Sequence, residues 1–159
     1  MRDLDSIGIK ILNVLQHNGR ETNASLALSV GLAPSAVLER VKKLRETGVI
    51  SHHATVLDRK LAGFSITAFV QVRTSEPLRE ENVIRSLCSL DQVLEVHDVT
   101  GAECFLLKVI ARDTDDLHDL IHKHIGKIEG VVSTSTSIAL KTCKETVAIP
   151  LSIENAKRR

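Results

Sequence analysis

Four cations crowd one stretch of the chain: Arg40, Lys42, Lys43 and Arg45 lie within six residues of one another. Such a cluster fits phosphate contact, because each cation that meets a phosphate releases condensed counterions. Alone, a charge run is usually just a solvated helix face; the surroundings change that reading. The hydroxyl run Ser133-Thr134-Ser135-Thr136-Ser137 is polar for a strand. His118 and His122 stand at the i, i+4 spacing that can hold a metal, with His124 close by and Asp115 and Asp119 flanking. No Cys or acid completes an evident metal site, so a solvated helix face is expected there. His52-His53 follows the basic cluster and could touch backbone phosphate. Glu103-Cys104 could suggest a thiol enzyme, but no His follows at a telling spacing. No Ser-His-Asp order, P-loop or GxGxxG occurs. The expectation is therefore no catalytic residue, no metal and no resident cofactor.

Composition narrows the classes. The chain has 159 residues, 43% hydrophobic and 26% charged, as in a globular protein of one ordinary or two small domains. Its apolar runs are short and its first residues lack a signal-peptide core, so a cytoplasmic protein with no membrane partner is expected. Three widely spaced cysteines make no CxxC pair and suggest neither a disulfide framework nor a zinc finger. Aromatics are only 2%, against a single-strand reader built on stacked rings. The net charge of +1 divides unevenly: residues 1–60 hold nine Lys/Arg against six Asp/Glu, and the remainder twelve against fourteen.

The basic cluster lies in the third of three predicted helices. Asp5 is a candidate N-cap, and Ile7, Ile11, Leu12 and Leu15 recur at helical spacing up to Asn18-Gly19. A second helix starts near Thr22 or Asn23, buries Leu26, Ala27 and Val30, and stops at Gly31. The third begins at Pro34, where the missing N–H costs nothing, and runs to Thr47-Gly48. A β-rich segment, Val49–Leu57, follows it. Two short helices joined by a tight Gly-containing turn make a helix-turn-helix, whose second helix enters the major groove. With Val37, Val41 and Leu44 facing the core, Ser35, Leu38, Glu39, Lys42 and Lys43 face outward. Ser35 and Glu39 are the candidates for base edges and Lys42 and Lys43 for phosphates. Arg40, on the flank, could contact phosphate or brace the domain.

The second part alternates strands and helices. Phe64–Arg73 is a strand, 76–89 a helix, Val93–Val99 and Cys104–Ala111 a hairpin turning at 100–103, Thr114–Lys127 a helix and Val131–Leu140 a strand. The order βαββαβ is the ferredoxin-like arrangement, with both helices on one face of the sheet. Phe105, Leu106, Leu107, Val109 and Ile110 make the third strand apolar on both sides, which calls for cover on both faces. A second copy of the sheet would supply it, giving a homodimer. Pro150 is incompatible with a central strand, and Leu151 and Ile153 are expected to pack on a neighbour.

These residues resemble the Lrp/AsnC, or feast/famine, family. The resemblance spans about residues 3 to 149. It is carried by Asp3-Leu4-Asp5, Ile11-Leu12, Gly19-Arg20, Leu26-Ala27, Val30-Gly31-Leu32, Arg40-Val41, Leu44 and Gly48-Val49-Ile50. Further on it rests on Leu61-Ala62-Gly63, Val99-Thr100-Gly101, Leu106-Leu107, Gly130-Val131, Thr134, Thr136 and Leu140. It implies an α+β chain: a winged helix-turn-helix over 1–62, with the motif proper about 23–42, an αβ-sandwich domain over 63–149, and a tail over 150–159. It further implies transcription control on double-stranded DNA by homodimers that assemble to octamers, tuned by an amino acid or related metabolite. By the family's placement the effector pocket falls at Thr100, Gly101, Ala102, Glu103, Cys104, Thr134 and Thr136. Two positions depart from the family: Cys104 stands where many members have Asp, and Ala33 where a Ser or Thr cap is usual. The competing class is a small-molecule-binding or catalytic ferredoxin-like dimer whose N-terminal helices dock protein; the basic third helix separates the two.

Overall fold

The computed structural model describes residues 4–75, 80–101 and 104–152. The chain forms two compact units. One comprises the residues up to Thr55 together with the segment that begins at Lys144; the other is Val56–Cys143. The polypeptide therefore passes between units twice, at 55–56 and again at 143–144. This grouping differs from the sequence boundaries at 62 and 149: the stretch after Thr55 goes with the second unit, and the chain from Lys144 returns to the first.

The first unit holds α1 (Ser6–His17), α2 (Asn23–Val30) and α3 (Pro34–Glu46). Asp5 caps α1, its Oδ1 accepting from Gly8 N–H at 2.7 Å. Thr22 caps α2 through Ser25 N–H at 3.2 Å. Ile11, Leu12, Leu26, Ala27, Val37, Val41 and Leu44 close into one core, with Leu4, Ile7, Leu15, Ile50 and Leu151 packed against it. The expected β-rich segment after α3 is irregular. Residues 51–57 are exposed, with no ladder partner among the described residues.

The second unit is a four-stranded antiparallel sheet in the order β2-β3-β1-β4: β1 (Ile66–Thr74), β2 (Val93–Asp98), β3 (Phe105–Ala111) and β4 (Val131–Ile138). Helix α4 (Glu80–Cys88) follows β1, and α5 (Thr114–Asp119) follows β3. This is the expected βαββαβ order. Ala68, Val70 and Val72 of β1 and Phe105, Leu107, Val109 and Ala111 of β3 are buried together with Val83 and Leu87 of α4 and Leu117, Leu120 and Ile125 of the second helical layer. Strand alternation then puts Phe69, 40% exposed, and half-buried Leu106 on the opposite face.

Of the helix expected over 76–89, residues 76–79 lie outside the described residues, and α4 is described from Glu80. Two details depart from the sequence reading. The helix expected over 114–127 changes pitch: α5 gives way to a π turn at Leu120–His124 and a 3₁₀ turn at Ile125–Lys127. Leu120 and Ile125, both buried, are five residues apart, and the i→i+5 bond from Ile125 N–H to Leu120 O brings them to one face. Gly126 permits this tight exit, since a Cβ there would lie 3.0 Å from Ile121 O. Strand β4 ends at Ile138 rather than Leu140: Ile138 pairs with Ala68, and beyond it Ala139 N–H still reaches Thr67 O at 2.9 Å.

Candidate DNA-reading surface and effector site

Helices α2 and α3 cross at 103°, within the range of helix-turn-helix pairs. The turn works because Gly31 takes φ 71, ψ 38 and gives its N–H to Ala27 O. L-side chains avoid that left-handed well. Helix α3 starts without a side-chain cap, since Ala33 has no oxygen to offer; Pro34 at the first turn leaves one fewer orphan donor. With Val37, Val41 and Leu44 buried, Ser35, Glu39, Lys42 and Lys43 are exposed together on the opposite side. Lys42 is only loosely held, 3.9 Å from Glu46. Its ammonium is free to meet another anion.

Arg40 stands apart from that set. Its Nη1 lies 2.7 Å from Asp5 Oδ2, so the guanidinium ties α3 to the cap of α1. The contact fits the brace, one of the two roles that the sequence leaves open to it. Asp5 thus serves two helices at once: Oδ1 holds Gly8 N–H and Oδ2 holds Arg40. The Gly8 N–H foremost, and the Arg40 cation with it, hold its carboxyl below the usual value. Arg45 is also engaged, its Nη2 3.1 Å from His53 Nε2. His52 Nδ1 lies 3.1 Å from Ser51 Oγ.

Five of the seven effector candidates are among the described residues, four of them toward one end of the sheet. Thr100 and Gly101 are exposed in the turn after β2. Cys104 enters β3 half-buried, giving its N–H to Val72 O at 3.0 Å and accepting Val99 N–H at 3.0 Å. Its Sγ accepts from Thr74 Oγ1 at 3.2 Å. Thr134 pairs with Val72 and Thr136 with Val70, so both hydroxyls lie on the helix-covered face of the edge strand, and Thr136 is two residues further from the turn. Ser133, Ser135 and Ser137 lie on the other face, opposite Arg73, Gln71 and Phe69. Ala102 and Glu103 lie outside the described residues. Thr74 is the neighbour that sequence reading missed; the end of the β1 alternation was its only signal. His118 and His122 stack with ring centroids 4.4 Å apart, and no group of three metal-ligating side chains forms among the described residues.

A helix-turn-helix reader joined to a ferredoxin-like sensing domain defines a class of ligand-responsive DNA-binding regulators. Comparison with known proteins gives the particular family. Residues 4–51 match the model of a winged helix-turn-helix DNA-binding domain, and residues 67–149 that of the Lrp/AsnC ligand-binding domain. The chain is 34% identical over 148 residues to the HTH-type transcriptional regulator FL11 of Pyrococcus horikoshii, covering 93% of this chain and 97% of that one. It is 30% identical to the regulatory protein AsnC of Haemophilus influenzae, covering 89% and 94%. Among solved structures, a Neisseria meningitidis transcriptional regulator in complex with L-Met superposes with a TM-score of 0.89 at 31% identity, covering 92% and 96%. AsnC of E. coli superposes at 0.87 with 27% identity, covering 92% and 99%. The chain belongs to the Lrp/AsnC family: it is a DNA-binding transcriptional regulator modulated by a small-molecule ligand. No single described helix is long and apolar enough to cross a membrane.

Proposed function

We propose that two copies of this chain, paired through the sheet face that carries Phe69 and Leu106, set two α3 helices into successive major grooves. Ser35 and Glu39 meet base edges, Lys42 and Lys43 meet phosphates, and Arg40 holds the reader together. The observation that carries this reading is the outward set Ser35, Glu39, Lys42 and Lys43, opposite the buried Val37, Val41 and Leu44. Pairing further assembles to the octamer. The protein acts in the cytoplasm, catalyses no reaction and needs no resident cofactor.

The salt dependence of duplex binding tests the reader. Removing both charges by Lys42→Ala and Lys43→Ala weakens binding to every sequence and lowers the salt slope by about one to two units. An unchanged slope excludes those contacts. Ser35→Ala or Glu39→Ala instead relaxes base preference more than overall affinity; equal losses on specific and random duplexes exclude a base-reading role.

The effector in this reading is an amino acid or a close relative, held by hydroxyls and backbone groups between the Thr100-Gly101 turn, Cys104 and Thr134, with Thr136 deeper along the edge. A ligand that binds only the folded state raises its melting temperature. Screening the common amino acids, L-methionine among them, tests this directly. No shift with any of them retires the amino acid as effector.

A further inference from the structure

We propose that the face of α1 bearing Asn13 and Gln16 is a docking site for the chain's own C-terminal segment, and that this latch makes the continuation of the sensing strand β4 part of the DNA-reading unit. The contact is read through main chain. Gln16 Nε2 donates to Ile149 O at 3.1 Å, while Ile149 N–H donates back to Gln16 Oε1 at 2.5 Å. The side-chain amide thus stands in for a neighbouring strand. One turn earlier on the same helix face, Asn13 Nδ2 donates to Leu151 O at 3.2 Å. The segment runs antiparallel to the helix, and the two carbonyls used are two residues apart, as an extended chain presents them on one side.

Pro150 suits the place between them. It has no N–H to leave unpaired, it fixes its own φ, and it drives Ile149 toward extended geometry. Leu151 then packs against the first unit's core, beside the cluster of Ile11, Leu26 and Val37. Five residues separate the end of β4 at Ile138 from the return to the first unit at Lys144. A change at β4 has a short covalent route to α1, distinct from the linker that follows Thr55. The latch rests on the proposed function only for its meaning: β4 carries Thr134 and Thr136, and the unit it grips carries α3.

Amide exchange measured by NMR on the full chain tests the latch without DNA or effector. Ile149 N–H is expected to exchange at least tenfold more slowly than an unstructured amide. Leu151→Asp, a change confined to the segment, removes that protection, and Gln16→Glu, which sets a carboxylate against Ile149 O, weakens it. An Ile149 amide that exchanges at the unstructured rate in the unaltered chain overturns the proposal. The second arm compares a duplex of about 30 base pairs, long enough for two readers, with one of about half that length. A reader held by one tether has a lower effective concentration for its second site, so Leu151→Asp reduces the preference for the long duplex by about tenfold. If Leu151→Asp frees Ile149 but leaves that preference whole, the latch has no part in placing the reader, and the proposal falls there. If the unaltered chain shows no preference for the long duplex, the paired-reader function fails, and the latch stands or falls on the Ile149 amide alone.

Discussion

Asp5 has two structural roles in the reader, since one carboxylate caps α1 and anchors Arg40 of α3. The two roles separate by substitution. Asp5→Ala loses both and is expected to cost about 1–2 kcal/mol, the usual range for a lost cap. Asp5→Asn keeps an oxygen for Gly8 N–H and loses only the charge on a pair that is largely exposed, worth about 0–1 kcal/mol. Urea unfolding at neutral pH measures both; equal losses would mean that the ion pair, not the cap, matters. The pH dependence has a definite sign. Because the folded carboxyl is held below its ordinary value of 3.8, its contribution is whole above that value and fades as the pH falls through the lower folded one. The unaltered chain and Asp5→Asn should therefore converge in stability only in strong acid. Sequence placed Asp5 as a cap but left Arg40 undecided, for a physical reason. Helical spacing sets Arg40 on the flank of α3, but the partner that claims it lies thirty-five residues away.

At the scale of the element, the turn between α2 and α3 depends on Gly31. A Cβ there meets nothing within 4 Å, so a substitution costs backbone strain and no clash. Gly31→Ala should destabilise by about 1–2 kcal/mol. Gly31→Asn, whose side chain tolerates the left-handed well, should recover part of that loss. Thermal melts of the two variants decide it: an Ala variant as stable as the parent would show that the turn takes another path. The elements themselves were largely legible in the sequence because their periods are local. Val37, Val41 and Leu44 repeat at helical spacing, and Ala68, Val70 and Val72 alternate as a strand with one buried face. The π turn was not legible. Leu117, Leu120, Ile121 and Ile125 fit an unbroken α-helix, and only packing shows that Leu120 and Ile125, five residues apart, are both fully buried in one core. In β4 the alternation itself was uninformative, since all five residues from Ser133 to Ser137 carry hydroxyls. Pairing with Val72 and Val70 is what separates the threonines from the serines. Thr74 escaped notice for the same reason: its proximity to Cys104 exists only once β1 and β3 are in register.

For the whole molecule, the proposed pairing makes the sheet face away from the helices the surface to test. Phe69 stands there at 40% exposure in the middle of β1, a central strand. Lys108, its cross-strand partner, pairs with Glu95 at 3.0 Å, and His97 lies 3.2 Å from the same carboxylate. A second sheet laid on this face covers the ring and meets charges already matched among themselves, so pairing strands no unpaired charge at Glu95 or Lys108. Phe69→Asp puts an unmatched carboxylate at the centre of that contact and leaves the helix-side core of Val70 and Val72 intact. Light scattering should then give the mass of one 17.4 kDa chain where the parent gives at least two. The variant's melting temperature should also lose its dependence on protein concentration. In the proposed dimer, duplex affinity follows from assembly. Two linked readers gain through effective concentration, so a solitary reader with every α3 residue intact should bind a two-site duplex about a hundredfold more weakly. It should keep the salt slope of a single reader. A Phe69→Asp chain that still pairs, or that stays single and binds as tightly as the parent, would place the dimer contact, or the source of affinity, elsewhere in the molecule.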